Sequence, residues 1–220
     1  MFEAFSLSLR YDSSNPLFSG LSFRLQPGDC LWVKGANGCG KTSLLYALAN
    51  VIPQHIEAEK TGNILLNGKI TNDIHIQNLL PDIGLVMHNP AWQLFFPTVK
   101  EELIYSLENL GWDETEITKR ITDSIHRFDL TAYAEANPLT LSAGIQKLLT
   151  LAIIDSVSPF VIMLDEPLNG LSGANLILVK DWMKAQSSLG KILLIAEHNP
   201  LIAEVCNRVL EFHPDGRVCE

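Results

Sequence analysis

The sequence predicts an α/β fold with a parallel sheet at its core. Three observations carry this. Short, fully apolar strand segments alternate with helical ones, a pattern that needs a sheet covered on both faces. A glycine-rich turn joins one such strand directly to a helix. A stretch of helical periodicity, about 98–156, interrupts the alternation and reads as an inserted helical lobe. The chain has 220 residues, room for one large domain or one domain with a sub-lobe.

Each element has its own signal. Residues Phe2 to Tyr11 alternate apolar and polar, and Leu21 to Leu25 alternate again before the turn signal Gln26-Pro27-Gly28-Asp29. The first part of the chain thus reads as short strands with turns, an N-terminal antiparallel β subdomain, and Asn63-Ile64-Leu65-Leu66-Asn67-Gly68 reads as a further strand and turn. Cys30 to Val33 is an apolar run entering the glycine-rich turn, and Thr42 to Ala49 is a helix stopped before Pro53. Ile83 to Met87 is a buried strand. In the lobe, Val99, Leu103, Ile104 and Leu107 recur at three- and four-residue steps, as do Ile117, Ile121, Ile125 and Phe128. Phe160 to Leu164 is an apolar strand ending in Asp165-Glu166, and a helix follows at about 174–186. Lys191 to Ala196 is another buried strand, ending in Glu197-His198. The tail reads as a hairpin around Pro214-Asp215-Gly216. The core then comprises 1–97 and 157–220, within one domain spanning 1–220.

Composition excludes several classes. Hydrophobic residues make up 47% and charged residues 19%, which sets the chain apart from disordered proteins. Lys+Arg 16 against Asp+Glu 25 gives a net charge of −9, so nucleic acid is not an expected partner. The most apolar stretch, Leu148 to Leu164, is broken by Asp155, Ser156, Ser158 and Pro159, and is not a membrane span. The N-terminus carries Glu3, Arg10 and Asp12 and does not read as a signal peptide. The four cysteines show no CxxC pair and no metal-ligand spacing, so they are expected to be reduced, in a cytoplasmic protein.

Gly35-Ala36-Asn37-Gly38-Cys39-Gly40-Lys41-Thr42 fits G-x-x-x-x-G-K-[ST] at every fixed position, with a strand before it and a helix after. Glycines let the backbone curl so that successive N–H groups face a phosphate. The helix N-terminus that follows favours an anion. Asn37, Gly38, Cys39, Gly40, Lys41, Thr42 and the adjoining Ser43 are therefore the candidate nucleotide-binding set. Lys41 would neutralise the β- and γ-phosphates, and the Thr42 hydroxyl would ligate Mg²⁺, which prefers oxygen.

The loop alone implies a nucleoside triphosphate and no particular reaction. Asp165, at a strand end, would hold Mg²⁺ through water, and Glu166 beside it would polarise an attacking water. A strand-end Asp-Glu is ordinarily a solvated turn. After a phosphate loop in an α/β chain, chemistry is the better reading. His198 ends the next buried strand, and neighbouring strand ends share one rim where ligands bind. It would hydrogen-bond the γ-phosphate.

These motifs, in this order, resemble one family, the ATP-binding cassette (ABC) ATPases, over nearly the whole chain. Leu141-Ser142-Ala143-Gly144-Ile145-Gln146-Lys147 is similar to the family's LSGGQ signature. Phe160 to Glu166, continuing Pro167-Leu168-Asn169-Gly170-Leu171, matches its apolar strand and acid pair. His198 matches its switch histidine, and Tyr11 sits where the family places an aromatic ring against adenine. The segments Asn89 to Leu103 and Leu107 to Gly111 are similar to the ATPase subunits of energy-coupling-factor importers and their cobalt or nickel relatives.

The resemblance implies an ATP-hydrolysing subunit, with ATP and Mg²⁺, that drives a membrane transporter for vitamin or metal-ion uptake. Two cassettes would dimerise head to tail, with Ser142 and Gly144 of one capping the γ-phosphate held by the other. The chain would sit peripherally on the inner face of the cell membrane. The segment 88–97, with Leu94, Phe95 and Phe96, would meet the membrane subunit, although these three residues read equally well as core. Two other readings compete: an ATP-gated regulatory protein of the same fold, not coupled to transport, and a small-molecule kinase, which the LSxG segment disfavours.

Several positions depart from the family's pattern. His88 stands where the family has a glutamine that contacts Mg²⁺. Ala143 and Ile145 alter the signature, Leu148 replaces a common arginine, and Ser172 replaces an aspartate that crosses the dimer interface. These changes fall on both halves of a composite site, which favours pairing with a non-identical cassette.

Overall fold

The computed structural model describes residues 1–12, 16–213 and 218–219. In chain order its strands and helices are β1 (Phe2–Arg10), β2 (Phe18–Leu25), β3 (Cys30–Gly35), α1 (Lys41–Leu48), a short α2 (Val51–Gln54), β4 (Glu59–Leu66), β5 (Lys69–Ile70), a one-turn α3 (Ile76–Leu79) and β6 (Ile83–Val86). There follow α4 (Val99–Glu108), α5 (Glu114–Arg127), α6 (Ala143–Val157), β7 (Val161–Asp165), α7 (Gly173–Ser188), β8 (Ile192–Ala196), β9 (Arg208–Phe212) and β10 (Val218–Cys219).

Two sheets result. One is antiparallel, in the order β2-β1-β4-β5. The other, β10-β9-β3-β8-β7-β6, is parallel from β9 to β6, with β10 antiparallel at its edge. The expected α/β class, parallel core and N-terminal antiparallel sheet are all present. Strands β9 and β10 pair as the tail hairpin requires, while its turn, Pro214-Asp215-Gly216, lies outside the described residues.

Every residue of β7 and β8 is buried, as central strands of a two-sided sheet should be. Their side-chain alternation divides the interior in two. Val33, Met163, Leu194 and Ala196 face one core, shared with α1 and the antiparallel sheet. Trp32, Ile162, Leu164, Leu193 and Ile195 face the other, shared with α4 to α7.

The alternation of β1 is interrupted once. Phe2, Ala4, Leu7 and Leu9 point inward, while Phe5 and Ser6 are both exposed. The register slips at this bulge, where Ser6 has φ 50°. Gly62 on β4 lies against it, and a Cβ there would sit 2.4 Å from the Ser6 carbonyl oxygen. Glycine is therefore required for β4 to approach β1.

Candidate active site

Because β3, β8, β7 and β6 are parallel neighbours, their C-terminal ends lie on one rim. Val33 is paired with Ala196, Asp165 with Ala196 and Val86 with Leu164, so the ends are nearly level. The glycine-rich loop leaves β3, Glu197-His198 leaves β8, Asp165-Glu166 ends β7, and His88 lies two residues beyond β6. The topology thus brings together residues more than 160 positions apart in sequence: the Trp32 ring N–H donates to the Glu197 carbonyl at 2.8 Å.

In the loop, Gly38 (φ 78°) and Gly40 (φ 108°) adopt the left-handed conformation that glycine permits. Nothing lies within 4 Å of a Cβ built on Gly38, so the loop's outer curve is open to a ligand. Lys41 is buried, and its ammonium donates to the carbonyls of Gly35 and Ala36, both at 2.9 Å. The Thr42 hydroxyl donates to Asp165 Oδ2 at 2.8 Å. Burial pushes the Asp165 carboxyl up, and the Thr42 hydrogen bond opposes that shift. Asn37 is exposed and Cys39 half-buried, on the same loop. The Tyr11 hydroxyl donates to Ser43 Oγ at 3.0 Å, which places the Tyr11 ring beside the start of α1.

Oxygen donors at Thr42 and Asp165 suit a hard cation such as Mg²⁺. No cluster of three or more His, Cys, Asp or Glu residues that could hold a metal occurs among the described residues. An ion at this place would have to complete its shell with phosphate oxygens and water, which is how Mg²⁺ is commonly held beside a nucleotide.

Glu166 is partly buried and has φ 49°, an uncommon backbone conformation for a non-glycine residue that tends to mark functional sites. Its N–H donates to the Ala196 carbonyl at 2.8 Å. Asn169 Nδ2 donates to Glu166 Oε2 at 3.0 Å, and His88 Nδ1 lies 3.2 Å from the same oxygen. His198 Nδ1 lies 3.4 Å from Glu166 Oε1 and 3.3 Å from Glu197 Oε1.

Two residues that sequence reasoning passed over also belong here. Glu197 is fully buried, and its carboxylate accepts from the backbone N–H groups of Leu168, His198 and Asn199 at 3.0, 2.8 and 3.0 Å. It fixes the turn that carries His198. Lys147, in α6, is buried, and its ammonium donates to the carbonyls of Glu166 at 2.8 Å and His88 at 3.2 Å. Burial pulls its pKa down, while Asp165, Glu197 and Glu166 push it up. The only sequence signals were a charge directly after five apolar residues and a cation at the start of an apolar helical run.

The signature-like segment opens α6. Ser142 is its N-cap and accepts from the Ile145 N–H at 3.4 Å, and Ser142 and Ala143 are exposed. Nothing closer than 3.5 Å meets a Cβ built on Gly144. Leu148 is buried, and Ser172 is the exposed N-cap of α7. Gln93 does not reach the rim: its amide bonds the backbone of Leu85 and Met87 at 2.9 and 2.8 Å. Leu94 is buried, Phe96 packs on Tyr105 with ring centroids 4.3 Å apart, and Phe95 is 77% exposed. The three apolar residues therefore divide between core and surface.

A glycine-rich loop, two strand-end carboxylates and a strand-end histidine share one parallel rim, the arrangement of a P-loop nucleotide-binding cassette. Residues 18–169 match the ABC transporter family, and the chain belongs to that family. It is 30% identical over 205 residues to a Methanosarcina mazei protein assigned as an ABC transporter ATP-binding protein, covering 93% of this chain and 34% of that one. It is 32% identical over 198 residues to Bacillus subtilis YkoD, assigned as an HMP/thiamine import ATP-binding protein, covering 87% of this chain and 36% of that one. The chain thus spans about a third of the length of these relatives. Among solved structures, CbiO1 from Clostridium perfringens, part of the ABC transporter complex CbiONQ, superposes with a TM-score of 0.84 at 25% identity, covering 100% of this chain and 86% of that one.

Proposed function

We propose that this chain binds and hydrolyses ATP to energise a membrane transporter, and that the transporter takes up a vitamin or a metal ion. The observation that carries the proposal is the bracketed Glu166 carboxylate, on the same rim as the Gly35–Thr42 loop and the Thr42–Asp165 pair. The likeness to YkoD and CbiO1 supports the uptake reading.

Each residue has a physical task in this scheme. The loop N–H groups and the N-terminus of α1 hold the phosphates, and Lys41 adds a positive charge to them. Thr42 and Asp165 would hold Mg²⁺, which when bound supplies charge neutralisation at the phosphates. Glu166 accepts a proton from the attacking water. Glu197 anchors the turn that holds His198 toward the phosphate. The Tyr11 ring packs against adenine. Ser142, exposed, and Gly144, half-buried, both at the head of α6, cap the nucleotide held by a second cassette.

The second cassette is a different chain. Ala143, Ile145 and Ser172 depart from the family at exposed or half-buried positions of the partner-facing segments, while Lys41, Asp165, Glu166 and His198 are retained. The membrane subunit contacts the surface carrying Phe95, and the assembly lies on the cytoplasmic face of the cell membrane. No helix among the described residues is long and apolar enough to cross a membrane.

Affinity purification from detergent-solubilised membranes tests this reading. A membrane subunit and a second cassette should co-purify, and the material should release phosphate from ATP. Recovery of soluble partners alone would replace the transport reading with the regulatory one.

A further inference from the structure

We propose that His88 is a positioning residue for the Glu166 carboxylate, locked in place by Lys147, and is not a metal ligand. The inference rests on the reading of Glu166 as the base, and deepens it.

Three contacts surround the Glu166 carboxylate. Each oxygen of the Glu166 carboxylate has an imidazole nitrogen beside it: His88 Nδ1 at 3.2 Å from Oε2 and His198 Nδ1 at 3.4 Å from Oε1. The Asn169 amide donates to Oε2 at 3.0 Å. A carboxylate held on both oxygens cannot rotate freely, so its remaining lone pairs keep one direction. Orientation of this kind matters, since misplacing a reacting group by an ångström can cost about 100-fold in rate.

The main chains are held as well as the side chains. Lys147 donates to the carbonyls of both His88 and Glu166, at 3.2 and 2.8 Å. One ammonium, only 3% exposed, therefore ties the chain beyond β6 to the end of β7. Its desolvation is compensated by those carbonyls and by the nearby carboxylates. The Glu166 N–H is fixed to Ala196 at 2.8 Å, which closes the frame on the β8 side. Within this frame the separation of His88 from Glu166 follows from the backbone.

The ring's orientation argues against metal contact. Nδ1, 3.2 Å from Oε2, is the ring nitrogen that faces the carboxylate; a proton carried there would give Oε2 a donor and leave that nitrogen no lone pair to offer a metal. Imidazole nitrogen is in any case a poor ligand for Mg²⁺ beside available oxygens. Lys147 lies five residues into α6 from Ser142, so the same lysine joins the helix that opens at the signature segment to the carboxylate that would activate water.

The first test needs no nucleotide. Long-range ¹⁵N–¹H spectra of the ¹⁵N-histidine-labelled full chain, at about pH 8 where an ordinary histidine is neutral, report the tautomer of each ring. The His88 signal, assigned by its loss in His88→Gln, should show the proton on Nδ1, and Glu166→Ala should return it to the Nε2–H form. An Nε2–H ring in the parent chain would overturn the proposal.

The second test is kinetic, on the complex recovered from membranes. His88→Ala should lower kcat about 10-fold, with KM for ATP and half-saturation by Mg²⁺ within about two-fold of the parent. His88→Gln, which keeps an N–H donor, should recover part of that loss. A shift in Mg²⁺ half-saturation, or an unchanged kcat in His88→Ala, would contradict the assignment. Lys147→Met should remove the Nδ1–H signature, and Lys147→Arg serves if the methionine variant does not fold. Undiminished turnover in Glu166→Gln would defeat the underlying reading of Glu166 instead, and would leave the tautomer result standing.

Discussion

Glu197 has no exposed surface, yet it carries a carboxylate. Three backbone N–H groups, those of Leu168, His198 and Asn199, converge on it and make its burial tolerable. Truncation would strand those donors. Glu197→Ala should therefore lose about 3 kcal/mol or more of unfolding free energy, read from urea denaturation. Glu197→Gln keeps one acceptor oxygen and should lose less. Placement on the rim was legible in the sequence for Lys41, Thr42, Asp165, Glu166 and His198, because motif spacing and apolar strands locate strand ends. The contacts of Glu197 and Lys147 were not. Nothing in a residue's type says that three amides will turn toward it, or that one ammonium will face two carbonyls from different strands.

Asp155 acts at the scale of helices. In the sequence it was only an interruption of an apolar stretch. In the fold this one α6 side chain accepts from Ser124 and Arg127 of α5 and from Trp182 and Gln186 of α7. Three helices are pinned by one buried group. Asp155→Ala should cost about 2–4 kcal/mol, measured as a lowered denaturation midpoint, since several buried donors lose their acceptor together. Helical periodicity foretold α4, α5 and α6, but not which polar side chain joins α5 and α6 to α7. The β1 bulge escaped the sequence for a related reason. Alternation reads Phe5 and Ser6 one residue at a time, whereas the slip depends on β4 bringing Gly62 against Ser6.

At the scale of the whole molecule, the parallel order of β3, β8, β7 and β6 turns four separated segments into one rim. The two interiors on either side of the sheet pack it against the antiparallel sheet on one face and against α4 to α7 on the other. The net charge of −9 does not describe the proposed anion site, which would be built from backbone N–H groups and Lys41. Partner contacts belong to this scale too. Phe95, 77% exposed beside buried Leu94, contributes little to the core. Phe95→Ser should leave the thermal midpoint nearly unchanged and reduce recovery of the membrane subunit in detergent purification. In the proposed mechanism Glu166 activates water on a rim that binds ATP independently of it. Phosphate release and ATP affinity of the purified complex, compared with its Glu166→Gln form, test this most directly. The expected result is a fall in kcat of about 100-fold or more with ATP affinity retained. Turnover that survives the substitution, or ATP binding that disappears with it, would rule out Glu166 as the water-activating base of an independently formed ATP site.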